Sequence, residues 1–417
     1  MKVMKWSVIA MAVAAGTSQM ALASSQSESE GFVEGSSLTI FNRNLYMNRD
    51  FRGEGQSYRE AWGHGFIGTF ESGFTQGTIG VGVDAIGLLG VKLDSGRDRA
   101  WPDIFPRDSE GKPQDDYSEA GVAVKFRVSD TVLKYGTQFV ALPVFSTDDA
   151  RLLPETAQGG LITSSEIDGL ELNVGRFTAL SAKSEADHDS VGLDEINFIG
   201  GTYAFSDSLS TSLYYSDVKD AFEKIYGNAN YSMGLGADQS LAFDFNIYQT
   251  EYESEFTGTG SDEDNTIWSL ASTYSLGAHK FTVAYQKSHG GYNTNGYLYG
   301  IDGGGTVWLG NSVQYSDFFY EDEQSWQVRY DLDMAAYGVS GLSFMTRYVD
   351  GSNINMGAGN SDAEESEWDI EAKYVFQEGP AKDLSLRVRQ AFYQATNNLD
   401  RDLSDTRLIV EYPLNIL

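Results

Sequence analysis

Hydrophobic and polar positions alternate with a period of two along most of the chain, and no long stretch shows a helical period. In Leu241–Tyr248, Leu241, Phe243, Phe245 and Ile247 share one face; Ala242, Asp244, Asn246 and Tyr248 share the other. Leu384, Leu386 and Val388 alternate with Ser385, Arg387 and Arg389. Trp368, Ile370, Ala372, Tyr374 and Phe376 alternate with Asp369, Glu371, Lys373 and Val375. A soluble sandwich alternates too, but its strands average about five or six residues. The runs here reach about ten residues and carry aromatics near their ends, as strands crossing a bilayer do.

Tight-turn signals recur at Thr75-Gln76-Gly77, Ser129-Asp130, Ile167-Asp168-Gly169, Ser206-Asp207, Ala237-Asp238, Leu276-Gly277-Ala278, Val339-Ser340-Gly341 and Glu378-Gly379-Pro380. Most lie about 39 residues apart, the length of two strands and one longer loop. Eight turns on the side of both termini imply nine loops on the other side, hence 18 strands. An even count is the bacterial rule, and a barrel of this size encloses an aqueous channel. The pattern therefore predicts an all-β fold: a transmembrane antiparallel β-barrel with infolded loops forming a constriction. Gly96–Glu119, Pro143–Thr156 and the Gly- and Tyr-rich Ser288–Glu323 are the long loops. Gly80 and Gly82, facing inward on the third strand, are expected to leave room for a folded-in loop.

The first residues change the picture by adding export. Lys2 and Lys5, the apolar run Trp6–Gly16 and the small residues of Ala21-Leu22-Ala23 read as a signal peptide over residues 1–23. Residues 24–417 then form a single barrel domain. No later stretch of 18 apolar residues could supply a spanning helix. Aromatics at 13%, abundant Gly and scarce Pro agree with a β-rich chain. With no cysteine there is no disulfide framework and no thiolate metal site, and no metal or cofactor is expected. The net charge of −31, or −33 without Lys2 and Lys5, argues against nucleic acid as a partner. The acidic stretches Asp94–Asp116, Ser261–Asn265 and Ser361–Glu367 read as solvated outer loops suited to bridging lipopolysaccharide through divalent cations.

The basic residues are not scattered. By alternation, Arg329, Arg347, Lys373, Arg387, Arg389 and Arg407 fall on the lumen side of the last five strands. Closure of the barrel brings Arg43 and Arg49 of the first strand alongside them. One pore wall should thus carry a column of cations. Arg presents paired planar donors that match a carboxylate, and repeated weak sites let an anion enter and leave. The competing reading is that these cations merely neutralise inward acids such as Asp331, Asp369 and Glu371.

At this point the chain resembles the OprD (Occ) family of outer-membrane channels. The resemblance rests on GFVEGSSLTIFNRNLYMNRDFR, ESGFTQGTIGVGVDAIGLLGVKLD, GKPQDDYSEAGVAVKFRVSD, RLLPET, DQSLAFDFNIYQT, NSVQYSDF, GPAKDLSLRVRQA and LIVEYPLNIL, in family order from Gly31 to Leu417. It implies an eighteen-stranded barrel, monomeric or loosely trimeric, inserted by the barrel assembly machinery, with a narrow eyelet and a basic ladder for small carboxylates. It adds Arg59 to the ladder and places Arg151 on the constricting third loop, with Tyr315 and Asp317 on the seventh. For Arg151 the alternative is a loop salt bridge with Asp148, Asp149 or Glu155, and for Tyr315 and Asp317 a surface turn. Members taking basic amino acids carry an acid at the place of Gly305, within Gly303-Gly304-Gly305. Asp302 and Asp317 are the candidate substitutes. The missing acid, the chain length and LNVGRFTALSAK look more like the carboxylate-specific, OccK-like branch.

The rival classes find less support. With His64, His188, His279 and His289 the only histidines, and neither HExxH nor GxSxG present, an outer-membrane hydrolase lacks its constellation. A sugar porin would want an aromatic slide, for which the many tyrosines leave room. A basic amino acid or peptide porin of the same family is the main alternative.

Overall fold

The computed structural model describes residues 26–53, 58–100, 104–291, 295–357, 362–396 and 399–417. The signal peptide expected at residues 1–23 lies outside them. Along the chain run β1 (Ser37–Phe51), β2 (Tyr58–Glu71), β3 (Gly80–Asp94), β4 (Asp116–Val128), β5 (Thr131–Gln138), β6 (Ala141–Leu142), β7 (Phe145–Ser146), β8 (Thr156–Ile167), β9 (Leu170–Ser181) and β10 (Ile196–Ser206). They continue with β11 (Leu209–Val218), β12 (Phe222–Gly236), β13 (Gln239–Tyr252), β14 (Glu263–Leu276) and β15 (His279–Gly290). The last are β16 (Gln324–Asp333), β17 (Leu342–Ile354), β18 (Ala363–Val375), β19 (Ser385–Ala395) and β20 (Leu403–Asn415). β6 and β7 form a small hairpin inside a loop; the other eighteen strands make one antiparallel sheet.

β20 pairs with β1 from Thr39↔Asn415 to Phe51↔Leu403, which closes the sheet into a barrel. Closure leaves no edge, so the strands satisfy one another's backbone groups, as a lipid surround requires. The eight predicted tight turns all fall between paired strands, at the end that also holds the described termini. Alternation then sorts the side chains. Val122, Ile199, Leu213 and Val283 face outward and are exposed to the membrane side. Outward aromatic pairs gather at both rims: Trp326–Tyr348 and Trp368–Phe392 at the long-loop end, Phe281–Tyr330 and Tyr374–Phe376 at the short-turn end. Such girdles match the two bilayer interfaces.

The lumen is not evenly open, because three long loops fold into it. β5 has 8 residues against 13 in β4, so the chain leaves the wall early and the segment 139–155 crosses the interior. It packs with residues 295–323 against the inner faces of β9 to β14 through Phe145, Phe177, Phe198, Phe222, Tyr226, Tyr248, Tyr252 and Tyr297. A second cluster joins Ile104, Phe105, Leu152 and Leu153 from two loops to Leu45, Met47 and Ile86 on β1 and β3.

The glycines that admit loop 139–155 are Gly63 and Gly65 on β2. A Cβ at Gly63 would lie 2.7 Å from Leu152 Cδ2, and one at Gly65 would lie 2.7 Å from the Leu152 carbonyl oxygen. The expectation for Gly80 and Gly82 needs correction. Both face inward, but a Cβ at Gly80 would meet the Gln26 side chain, and one at Gly82 would meet Lys125. At Gly80 the space is taken by the segment preceding β1, whose Gln26 accepts from Arg127 Nε at 2.8 Å and donates to the Thr75 carbonyl at 2.8 Å.

Candidate functional site

Arg43 and Arg49 on β1, Arg59 on β2, Arg329 on β16, Arg347 on β17, Lys373 on β18, Arg387 and Arg389 on β19, and Arg407 on β20 all occupy inward positions. These are consecutive strands across the closure, so the cations line one continuous wall. In register, Arg329 lies opposite Arg347, Lys373 opposite Arg387, Arg389 opposite Arg407 and Arg49 opposite Arg59. Like charges are thus adjacent across strands, an arrangement that costs stability unless anions intervene.

Wall acids intervene only in part. Asp331 pairs with Arg329 and Asp369 with Arg347, each at 2.6 Å. Asp405 is shared by Arg407 at 2.8 Å and Arg49 at 3.1 Å. Glu371 is shared by Arg389 at 3.1 Å and Arg387 at 3.9 Å. Neutralisation and the column of cations therefore coexist, with two carboxylates each serving two guanidiniums. Arg43 is different in kind. It is buried, holds Asp149 at 2.7 Å, Glu411 at 3.2 Å and the Arg151 carbonyl oxygen at 2.8 Å, and so fastens the constricting loop to the wall.

Residues 139–155 and 295–323 meet across the pore. Gly304 N donates to Glu155 Oε2 at 2.9 Å, Gly305 N to the Ser146 carbonyl at 3.0 Å, and Ser146 N to the Asp302 carbonyl at 3.2 Å. Gly303 has φ +95°, and a Cβ on it would lie 2.0 Å from the Ser146 carbonyl. The three glycines thus let two loop backbones touch. Asp302 itself is wholly buried and ion-paired to Lys224 of β12 at 2.5 Å, among the rings of Phe222, Tyr248 and Tyr297. Burial pushes its carboxyl above the usual range, and Lys224 opposes that shift. Asp302 is therefore engaged away from the lumen.

Tyr315 reaches the cationic wall. Its ring lies 4.4 Å beneath the Arg49 guanidinium, and its hydroxyl donates to Asp400 at 2.5 Å. The neighbouring Gln314 donates to Asp405 Oδ1 at 3.0 Å and accepts from Arg407 at 2.6 Å. Asp317 accepts from Tyr299 at 2.5 Å and from the Ser312 hydroxyl. Burial raises its carboxyl; those two bonds and the nearby charge of Arg151 pull it back. Arg151 itself donates to the Ala150 carbonyl at 3.1 Å within its own loop. Of the acids first weighed as its partners, Asp149 pairs with Arg43, Asp148 with Lys183 at 2.5 Å, and Glu155 accepts backbone N–H groups of Asp148 and Gly304.

Several site residues escape a sequence reading. Glu365 and Glu367 fall in a stretch expected to be a solvated loop, yet both are buried on β18 and point inward. Glu367 accepts from the backbone N–H groups of Tyr315 at 2.9 Å and Ser316 at 2.8 Å; Glu365 accepts from Tyr393 at 2.5 Å and the Ser316 hydroxyl at 2.8 Å. They pin the loop to the wall. Lys224 was also missed. Its signal was a cation on the inward face of Phe222, Lys224 and Tyr226, far from the basic wall.

A closed barrel with lipid-facing strands, infolded loops and a charged lumen defines an outer-membrane channel. The chain belongs to the OprD family of outer membrane porins, whose family model matches residues 30–416. It is 48% identical to Porin D of Pseudomonas aeruginosa over 451 aligned positions, covering 100% of both chains. Among solved structures, it resembles Acinetobacter baumannii OccAB1 with a TM-score of 0.90 at 32% identity, covering 94% of this chain and 100% of that one. It resembles Pseudomonas aeruginosa OpdK with vanillate with a TM-score of 0.83 at 34% identity, covering 92% and 100%. These relatives are channels, and so is this protein; it is not an enzyme.

Proposed function

We propose that this channel takes up small carboxylates passively, monocarboxylates such as aromatic acids above others, along the basic wall of Arg43, Arg49, Arg59, Arg329, Arg347, Lys373, Arg387, Arg389 and Arg407. One observation carries this reading. Among the described residues, Asp405 and Glu371 are each shared by two guanidiniums of the wall, while acids of the facing loops are engaged internally: Asp302 with Lys224, Asp148 with Lys183, Asp317 with Tyr299 and Ser312. A solute carboxylate competes for the shared guanidiniums of Arg387 and Arg389, and a solute ammonium finds no free partner acid among these three. Arg151, Tyr315 and Asp317 form the eyelet through which the solute passes. The barrel is inserted by the barrel assembly machinery, meets lipopolysaccharide through its outer loops, and stands as a monomer or loose trimer.

A second reading, uptake of basic amino acids or peptides, has its own support. Asp317 remains at the constriction. Identity over the whole chain is also higher with Porin D, 48%, than with the vanillate-bound OpdK, 34%. Liposome swelling with purified protein separates the two. Benzoate should permeate faster than arginine or a neutral sugar of similar size. Faster arginine would hand the site to Asp317 and the second reading.

A further inference from the structure

Beneath the covered aromatic patch the same strands turn polar. From the long-loop end toward the Ala237-Asp238 turn, inward positions of β12 read Tyr226, Asn228 and Asn230, and those of β13 read Tyr248, Asn246 and Asp244. Tyr226 and Tyr248 belong to the cluster packed under the loops. Two inward positions further on, Asp244 lies outside that cluster and keeps part of its surface open. It faces the lumen, since the adjacent Phe243 points outward. From Asp244 we infer a further binding site in the pore: a station for a monovalent cation, the ammonium of a passing solute or an alkali ion, on a wall outside the basic column. The inference goes beyond the carboxylate reading and stands without it, because a cation needs only the acid.

The carboxylate has no counter-charge. Among the described residues, no lysine, arginine or histidine forms an ion pair with Asp244; its partners are the amides of Asn228 and Asn246. Directly across the strands stand Asn230 on β12 and Ala271 on β14, both neutral. Asn228 Nδ2 donates to Asp244 Oδ1 at 2.9 Å, and Asn246 Nδ2 donates to Oδ2 at 3.1 Å. Both amides are in turn held from behind. Asn230 donates to Asn228 Oδ1 at 2.6 Å, and the Tyr226 hydroxyl donates to Asn246 Oδ1 at 2.6 Å. A chain whose donors all run toward one carboxylate fixes that group in place. Each oxygen accepts one bond from the chain and keeps a lone pair for a cation. A charge taken partly out of water without a partner costs free energy until a counter-ion arrives.

The station also lies level with the cations. Asp244 is the sixth residue of β13 from its short-turn end; Arg389 is the fifth of β19 and Arg329 the fifth of β16, counted from theirs. β13 stands six strands from β19 in the ring of eighteen. A zwitterion leaving the eyelet can therefore meet a guanidinium on one wall and Asp244 on the other. The device recurs nearer the mouth. Glu171, the second residue of β9, accepts from Asn173 Nδ2 at 3.1 Å and forms no ion pair among the described residues. Weak stations in series allow passage where one tight site would trap.

Two bilayer measurements test this: reversal potentials in a potassium chloride gradient, and single-channel block by 4-(aminomethyl)benzoate against benzoate added from the short-turn side. Asp244→Asn keeps the shape of the side chain and removes its charge. The ratio of potassium to chloride permeability should fall about twofold in Asp244→Asn and return in Asp244→Glu. In the native channel the zwitterion should dwell several-fold longer than benzoate. Asp244→Asn should abolish that excess and leave the benzoate dwell unchanged. A shifted ion ratio without excess dwell assigns the station to alkali ions; excess dwell without a shifted ratio assigns it to the solute ammonium. If neither readout moves in Asp244→Asn, the carboxylate only knits β12 to β13 and the station is overturned. If Asp244→Glu behaves like Asp244→Asn, packing rather than charge is responsible, and the station is overturned as well. Arg387→Gln/Arg389→Gln tests the carboxylate reading separately, and its outcome leaves this one untouched.

Discussion

The two halves of the pore lining solve opposite problems with the same strand alternation. From β16 through the closure to β2, inward positions carry Arg and Lys; Arg43, Arg347 and Arg407 are buried, while Arg387 and Arg389 keep exposed surface and share one carboxylate. From β9 to β14, inward positions carry Tyr and Phe, and the infolded loops cover them. The lone cation there, Lys224, is paired with Asp302 and shows no exposed surface. A polar inward residue therefore means different things on the two walls. Beside water, a guanidinium sharing its carboxylate is available to a solute. Under a loop, a fully desolvated pair fixes the loop's position and is available to nothing.

The largest expected effect comes from breaking the covered wall. Lys224→Met leaves Asp302 buried without its counter-charge, at a cost of about 3–5 kcal/mol to the loop packing. The backbone ladder of the barrel does not depend on that pair, so heat-modifiable migration in detergent gels should persist. Single-channel conductance should rise, and the preference for benzoate over a neutral sugar should collapse as residues 295–323 leave the lumen. Lys224→Met/Asp302→Leu removes both charges and should recover most of the lost order. A conductance unchanged in Lys224→Met would mean that the aromatic cluster alone holds the loop.

Next comes the open wall. Arg387→Gln/Arg389→Gln removes two charge-assisted donor sets, each worth about 1.5–3 kcal/mol when engaged. Uptake of benzoate should fall at least tenfold, and uptake of a neutral sugar much less. Val388→Leu on the lipid face of the same strand is the control and should change neither. Equal slowing of both solutes would make the arginines a steric lining.

How much of this contrast was legible beforehand follows from what alternation can report. A period of two says which face a residue takes, so the strand count and the cationic wall, down to Arg387 and Arg389, could be read directly. It does not say what covers that face. Arg43 read as a rung like the others, yet it anchors the loop through Asp149 and the Arg151 carbonyl. Glu365 and Glu367 read as loop acids because charge runs usually are solvated; here Glu367 caps the backbone N–H groups of Tyr315 and Ser316, more than fifty residues earlier, and Glu365 accepts from the Ser316 hydroxyl, so neither partnership is local information. Gly80 and Gly63 look alike in sequence, and only the partner across the lumen distinguishes them.

A smaller effect tests the attachment of the loop to the open wall by pH. Glu323, at the loop's end, is buried beside Glu365, and both burial and that neighbour raise its carboxyl well above the usual range. The sign follows from linkage. A carboxyl raised in the folded state contributes stability that is complete below its unfolded value and lost as pH rises through its folded value. Loop flicker in single-channel traces should therefore increase from mildly acidic to alkaline pH. Glu323→Gln, which stays neutral, should flatten that dependence. Quieter traces at high pH would reverse the argument.

The smallest expected effect returns to the covered wall and asks whether its hydroxyls matter beyond its rings. Tyr248 donates to the Pro143 carbonyl at 3.0 Å and accepts from Trp308 N at 3.1 Å, so one hydroxyl joins both infolded loops to β13. Its ring also packs 4.7 Å from Tyr226 and 4.9 Å from Tyr297. Tyr248→Phe keeps the ring and deletes the hydroxyl, leaving one buried carbonyl and one buried N–H unpaired, for a cost of about 1–3 kcal/mol. The loops have other fastenings in Lys224, Arg43 and Glu367, so mean conductance should stay near that of the native channel. Brief closures should become more frequent, and benzoate selectivity should drop by less than the Lys224→Met loss. If Tyr248→Phe instead matched Lys224→Met, the covered wall would depend on its hydrogen bonds rather than its buried charge. The two walls would then differ less in kind than in exposure.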